Sequence, residues 1–175
     1  EDAERYVSES IALVQTMADA DIVFEDIKYI VTDGELHQYQ SLASPTEAKM
    51  FFAAFWAKRN PHAAAITNAR IGEHYRRLVY AEEHFQQFGR KTYSQGSGET
   101  RMQSFPESYY LNEEFNDKGI IYLHHGEPDR KIVTSALPND RRIQPNESWL
   151  YQATADYPEM LFDFLVSTGA HIGEW

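Results

Sequence analysis

Residues 117–129 read Asp117-Lys118-Gly119-Ile120-Ile121-Tyr122-Leu123-His124-His125-Gly126-Glu127-Pro128-Asp129. The rest of the chain is predicted to be organised around this stretch, because it has the order of a turn, a buried strand and a second turn. Gly119 offers a positive-φ position in the first turn, the run 120–123 is apolar with β-branched and aromatic members, and Gly126 with Pro128 marks the second turn. Helix patterns dominate the chain before this stretch and strand patterns the chain after it.

The composition indicates one packed domain. The chain has 175 residues, of which 42% are hydrophobic and 14% aromatic, which is too apolar for a disordered chain. Its 27 acidic and 16 basic residues give a net charge of −11, which disfavours nucleic acid and anionic lipid as partners and favours basic protein surfaces or cations. Cysteine is absent, which excludes disulfides and thiol chemistry. No stretch has the roughly 20 apolar residues that a membrane-spanning helix needs.

Helix patterns fill the first half of the chain. A helix start is marked where a hydroxyl or amide side chain can accept a hydrogen bond from the first turn. Three such starts are predicted: Thr32 with Glu35, Ser44 with Pro45 and Glu47, and Thr67 or Asn68 before a long helix that runs to Phe88. An imperfect apolar stripe also predicts a helix over residues 3–18, broken at 19–21. Residues 22–31 fit either a strand or a helical turn.

The predicted fold class is α+β, with N-terminal helices packed on a mostly antiparallel sheet of about four strands in the C-terminal half. The strands are expected at residues 120–123, 131–137, 147–153 and 160–166. One domain is expected over residues 1–175, with a helical part at about 1–90, a loop at about 91–116 and a sheet part at about 117–167. So long a loop is usually functional.

Several blocks of the sequence resemble the GWxTD domain family of bacterial proteins. The positions that carry the resemblance are Ser44-Pro45-Thr46-Glu47, Arg59-Asn60-Pro61, Tyr75-Arg76-Arg77, Asp117, Gly119, Gly126, Pro128, Asp129, Trp149 and Tyr151. The resemblance covers roughly residues 30–165 and implies an exported protein in a periplasmic or outer-membrane-associated setting, with no established activity. In place of the family's Gly-Trp-x-Thr-Asp, this chain has Glu113-Glu114-Phe115-Asn116-Asp117, which keeps only the aspartate.

The leading functional hypothesis is a noncatalytic protein-interaction module, a subunit or accessory of a larger bacterial envelope-associated complex. The tyrosine-rich composition and the long loop favour it, since interfaces are rich in aromatic residues. The candidate partner-binding residues are Tyr93, Phe105, Tyr109 and Tyr110. The expected partners are other protein subunits and not nucleic acid, and peripheral membrane association stays open. The sequence predicts no cofactor.

The alternative hypothesis is a metal-assisted hydrolase that uses His124 or His125 with Glu127 or Asp129. This spacing is unspecific, so two histidines at a strand end and two turn-forming acids are the favoured interpretation. Trp149 and Tyr151, which share one strand face, are interpreted as core. The same holds for the aromatic residues at 51, 52, 55 and 56, whereas Arg76 with Arg77 is typical of a solvated helix face.

Overall fold

The computed structural model describes residues 2–62, 65, 67–87, 106–134, 146–154 and 157–165. These residues form an α+β fold with the helices mostly in the N-terminal half and an antiparallel sheet in the C-terminal half, which confirms the predicted fold class. Within them, the α-helices are α1 (Asp2–Leu13), α2 (Met17–Ile27), α3 (Asp33–Gln40), α4 (Pro45–Lys58), α5 (Ala69–His84) and α6 (Asp117–His125). The strands are β1 (Arg130–Thr134), β2 (Asn146–Tyr151) and β3 (Met160–Leu165). There are also two 3-10 helices: the first, Lys28–Ile30, lies between α2 and α3, and the second, Glu107–Leu111, lies before α6.

The capping side chains place three helices where the sequence predicts them. The Thr32 hydroxyl accepts the Glu35 backbone N–H and the Glu35 carboxylate accepts the Thr32 N–H, so both halves of the capping box form at α3. Ser44 caps α4 with Pro45 in its first turn, and Asn68 caps α5. The predicted extension of α5 to Phe88 is wrong, because the helix ends at His84.

The helix predicted over residues 3–18 forms over Asp2–Leu13, but its predicted end is wrong, because a second helix begins at Met17. Thr16 forms a second capping box with Asp19 and starts α2 there. Asp19 therefore opens a helix where its neighbourhood had suggested a break. The ambiguous residues 22–31 continue α2 and then tighten into the first 3-10 helix.

The largest correction concerns the strand that is predicted at residues 120–123. Residues 117–125 form α6 and not a strand. The Asn116 side chain accepts the Gly119 N–H and starts the helix, and Gly126, at φ 83°, ends it in a conformation that suits glycine. Four apolar residues in a row are also compatible with a short helix that buries one face, and Ile120 and Leu123 do so here.

The sheet therefore has three strands among the described residues, in the order β1-β2-β3. Both pairs are antiparallel, with Lys131 opposite Trp149 and Trp149 opposite Phe162. The three strands predicted after residue 130 are confirmed, but β2 ends at Tyr151 and not at the predicted residue 153, and residues 135–137 and 166 lie outside the described residues.

One apolar core joins the helices, and the aromatic residues of α4 lie inside it as predicted. Phe52, Phe55, Phe115 and Leu123 are among its most deeply buried members, each almost fully buried. The sheet attaches through Trp149, which is 1% exposed and whose ring lies 5.7 Å from that of Phe85. Burial of each such side chain contributes about 1.5–3 kcal/mol. No helix among the described residues is long and apolar enough to cross a membrane.

Candidate functional site

A cavity of about 520 Å³ lies between the first 3-10 helix, the start of α3, the second 3-10 helix and α6. Its lining is mostly apolar. Tyr29, Val31 and Ile120 supply apolar surface, while Asp33 and His124 supply polar groups. Small-molecule and side-chain pockets in proteins commonly have this size and this mixture of many apolar and few polar groups.

Asp33 holds the second 3-10 helix in place, and this helix forms one wall of the cavity. The Asp33 carboxylate oxygen Oδ1 accepts the backbone N–H and the hydroxyl of Ser108, both at 2.9 Å. These hydrogen bonds lower the pKa of Asp33, so the carboxylate is ionised at neutral pH. His37 and Glu107 add a second link between the same two elements at 2.8 Å.

Tyr109, a predicted partner-binding residue, lines the cavity. Its hydroxyl donates to Asp117 Oδ1 at 2.8 Å, which holds the second 3-10 helix against the first turn of α6. Tyr110 is 47% exposed next to it, and the two rings lie 6.0 Å apart. The other two predicted residues, Tyr93 and Phe105, lie outside the described part of the chain. Tyr109 and Tyr110 therefore lie beside a cavity that the sequence did not predict.

His124, in the last turn of α6, lines the same cavity. His124 as a whole residue is exposed, and desolvation of its ring, followed by the charge of His125, lowers the pKa of His124. The ring is therefore neutral at pH 7, so one of its nitrogens can donate a hydrogen bond and the other can accept one.

The acids of the predicted metal cluster have other partners. Glu127 forms an ion pair with Lys131 at 2.7 Å, and Asp129 accepts the Gln152 backbone N–H at 2.7 Å. The His125 ring packs against Tyr151. In the described ranges, no three His, Asp or Glu side chains are arranged to hold a metal ion. The hydrolase hypothesis stays a prediction that no arrangement of these residues supports.

The residues that resemble the GWxTD family do not form one site. Arg59 pairs with Glu35 inside the helical part, and Tyr75 donates to Asp26 at 3.0 Å. The Asn60 side chain accepts the His62 N–H, Pro61 is exposed, and Arg76 pairs with Glu73 on the surface. Trp149 and Tyr151 are buried, which confirms their interpretation as core. Most of these residues therefore have a structural contact of their own.

The block that stands in place of the family's namesake motif is a turn closed by a buried aromatic ring. The Asn112 side chain accepts the Phe115 N–H and donates to the Phe115 carbonyl, and Phe115 is 2% exposed. Asn116 then caps α6, and Asp117 lies in its first turn. Pro128, further along, is buried.

Arg77 corrects the interpretation of Arg76 and Arg77 as one solvated face. Arg76 is exposed, but the Arg77 side chain is only 14% exposed. Its guanidinium donates to the carbonyls of Leu123 at 3.3 Å and His124 at 2.8 Å, at the end of α6. A cation is stabilised there because the last carbonyls of a helix lack partners and carry its negative dipole end. Arg77 thereby fixes α6 and the cavity wall that α6 contributes.

Sequence reasoning missed the cavity because its walls come from three separate stretches, at residues 29–34, 106–112 and 120–124. The one local signal for this site is a second acid, Asp33, beside Glu35 in the first turn of α3. Only the fold brings Asp33 to Ser108, 75 residues away.

The comparisons with known proteins give no family: no protein-family model, curated protein or solved structure matches the chain. The resemblance to the GWxTD family thus stays an interpretation of the motifs.

Proposed function

We propose that this chain is a noncatalytic protein-interaction module, a subunit or accessory of a larger bacterial envelope-associated complex. The observation that carries the proposal is the apolar cavity with Tyr109 in its wall and Tyr110 exposed beside it. Tyrosines beside a pocket are typical of residues that dominate binding energy at interfaces.

The occupant we propose for the cavity is an apolar side chain of a partner protein, carried on a basic segment. The apolar lining favours such a side chain over a charged one, because burial of an unpaired charge is costly. Acidic residues surround the site: Asp33 lines the cavity, and Glu107 and Asp117 lie on the elements that form its walls. With the net charge of −11, they favour a basic partner surface.

The proposed setting, periplasmic or outer-membrane-associated, rests on the sequence resemblance alone. If this setting is right, the partner is a protein of the bacterial envelope. Envelope fractions and membrane extracts are accordingly the material for the first capture experiment.

The test is a variant that fills the cavity without disturbing the fold. Gly34 lines the cavity, and a Cβ at this position would meet no atom within 4 Å. Gly34→Leu should place an isobutyl group into the opening. Gly72→Leu is the matched control, because Gly72 is also an exposed helical glycine with open space around its Cβ but does not line the cavity.

Wild-type protein, both glycine variants and Tyr109→Ala/Tyr110→Ala are used to capture partners from envelope extracts, and the affinity for the recovered partner is then measured. We expect Gly34→Leu and the double tyrosine variant to weaken binding by at least about tenfold, as loss of a dominant contact does. Gly72→Leu should bind like the wild type. Equal binding by Gly34→Leu and Gly72→Leu, or capture of no stoichiometric partner, would contradict the proposal.

A further inference from the structure

The lining of the cavity changes from buried and apolar to exposed and polar over residues 31–34. Val31 is 5% exposed, and Ile120, which α6 contributes to the lining, is 9% exposed. Thr32 and Gly34 are exposed, so solvent reaches this part of the wall, and Asp33 lies between them with partial exposure. An occupant of the cavity therefore meets both buried apolar surface and a carboxylate that solvent reaches.

The charge of Asp33 has no counter-charge in this wall. Among the described residues of the lining, Asp33 alone carries a formal charge at neutral pH, because the His124 ring is neutral. Its hydrogen-bond donors, the backbone N–H and the hydroxyl of Ser108, are uncharged, and no described lysine or arginine forms an ion pair with it. Glu147, by contrast, pairs with Lys118 at 2.6 Å. The cavity thus offers one carboxylate whose cation is not supplied by the described part of the chain.

The Asp33 carboxylate is held in place and still has acceptor capacity. Both hydrogen bonds from Ser108 end on Oδ1, each at 2.9 Å, whereas an ionised carboxylate has about four acceptor positions on its two oxygens. A donor that a ligand brings can therefore bond to the same carboxylate without displacing Ser108. Tyr29 and Tyr109 line the cavity as well, and the faces of aromatic rings attract cations. These groups together favour a positively charged group next to Asp33.

We propose that the cavity takes an amphipathic cation: an apolar group that fills the interior, joined to a protonated amine or guanidinium that pairs with Asp33. In the partner protein, this cation is a lysine or arginine next to the apolar side chain. Asp33 is then the residue that selects the partner, because a hydrogen bond between two charged groups is stronger than one between neutral groups. The assignment rests on the proposed function, since it takes the same cavity as the binding site.

The first test titrates the wild-type protein with three probes that share a phenyl group: phenethylamine, a cation at pH 7, the neutral phenethyl alcohol, and the anion phenylpropionate. Ionic strength is held constant, and the ring protons of the histidines are followed by NMR. We expect saturable shifts at His124, with the amine bound at least about fivefold more tightly than the alcohol and the anion bound most weakly. His62 does not line the cavity and should stay unchanged. Equal affinity for the amine and the alcohol, or no saturable shift with any probe, would overturn the proposal.

The second test is Asp33→Asn, which removes the charge but keeps an oxygen that can accept both hydrogen bonds from Ser108. Glu107→Gln is the matched control, because it removes an equal charge from the second 3-10 helix at a position that does not line the cavity. We expect Asp33→Asn to bind the amine and the alcohol within about twofold of each other, and Glu107→Gln to keep the preference for the amine. An undiminished preference in Asp33→Asn, or an equal loss in both variants, would reject Asp33 as the selecting residue. The titration of the wild type decides the proposal even where a variant does not fold.

The two glycine variants connect the probes to the cavity and separate this proposal from the proposed function. Gly34→Leu should abolish binding of all three probes, and Gly72→Leu should leave it unchanged. Wild-type affinity of Gly34→Leu for phenethylamine would overturn the proposal, because the amine would then bind elsewhere. The proposed function fails separately, when envelope extracts yield no partner whose binding Gly34→Leu weakens. A partner that binds the wild type and Asp33→Asn equally would overturn the role of Asp33 alone.

Discussion

Arg59 and Glu35 form a two-point ion pair that joins the end of α4 to the start of α3. Arg59 Nη1 lies 2.8 Å from Glu35 Oε1, and Nη2 lies 2.7 Å from Oε2. Arg59 also donates to the Ile30 carbonyl at 3.0 Å and stacks on the Phe55 ring at 3.6 Å. The two side chains are 19% and 11% exposed, so the pair is largely shielded from solvent. One arginine thus connects α3, α4 and the turn that forms part of the cavity wall.

The Arg59–Glu35 pair should make stability depend on pH in the acid range. Desolvation alone would raise the pKa of Glu35, but the hydrogen bonds from Arg59 and Thr32 outweigh it and lower the pKa to about 2. The contribution is complete above the unfolded-state pKa of 4.5 and is lost as pH falls towards 2. Wild-type protein should lose roughly 3 kcal/mol over this window from Glu35 alone, measured by urea unfolding at each pH.

Replacement of Glu35 isolates this contribution. Glu35→Gln should destabilise the fold by about 2–4 kcal/mol at pH 7, because it leaves Arg59 largely buried without a counter-charge. Glu47→Gln is the control, since Glu47 lies at the corresponding position of α4 and forms no ion pair with a described residue. A stability profile of Glu35→Gln that runs parallel to the wild type between pH 5 and 2 would refute this assignment.

His74 should give a second pH dependence at higher pH. The ring is fully buried, Nε2 donates to the Asp26 carbonyl at 2.8 Å, and Nδ1 has no partner. Desolvation, only partly offset by that hydrogen bond, lowers the pKa of His74 to about 4. Because the unfolded ring has a pKa near 6.5, stability is unaffected above that value and falls by roughly 3 kcal/mol as pH drops from 6.5 to 4. His74→Gln should flatten the unfolding free energy in this window, whereas His62→Gln should not.

Gly119 and Gly72 are both helical glycines, but alanine should have opposite effects at the two positions. A Cβ at Gly119 would lie 2.8 Å from the Phe115 Cβ and 3.0 Å from the Phe85 Cβ, so Gly119→Ala should destabilise by about 1–3 kcal/mol. A Cβ at Gly72 meets open space, so Gly72→Ala should stabilise by about 0.5–1 kcal/mol. Chemical denaturation of both variants measures the two effects, and a stabilising Gly119→Ala would contradict the close packing of α6 against Phe115 and Phe85.

Gly126 should be intolerant of a side chain for a different reason. Its φ of 83° is strained for alanine, and a Cβ there would lie 2.9 Å from Arg77 Nη2. Gly126→Ala should therefore disturb the contact of Arg77 with the end of α6 and cost about 1–3 kcal/mol. Gly34→Ala serves as the tolerant control. Thermal melts compare the two, and a neutral Gly126→Ala would mean that Arg77 and α6 can move apart at little cost.

Local chemistry explains which predictions succeeded. Thr32, Ser44 and Asn68 start helices because each side chain satisfies a backbone donor within three residues of itself. Such signals are contained in the sequence and need no tertiary contact. The same principle explains the error at Asp19, because Thr16 and Asp19 form a capping box that starts a helix where a break was predicted.

The strand predicted at residues 120–123 failed because four apolar residues fit a strand and a short helix equally well. The chain buries Ile120 and Leu123, three residues apart, against the helical part of the core. The helical conformation is favoured there because it places both side chains on one face towards the core. A strand would place them on opposite faces.

Local sequence patterns predict the α+β class, the starts of the capped helices and the three strands after residue 130. Each of these depends on patterns within a few residues. The contact of Asp33 with Ser108 and the contact of Arg77 with the end of α6 follow from the tertiary structure, because they depend on which distant elements pack together. A linear sequence does not contain those distances, so the cavity emerges only from the fold.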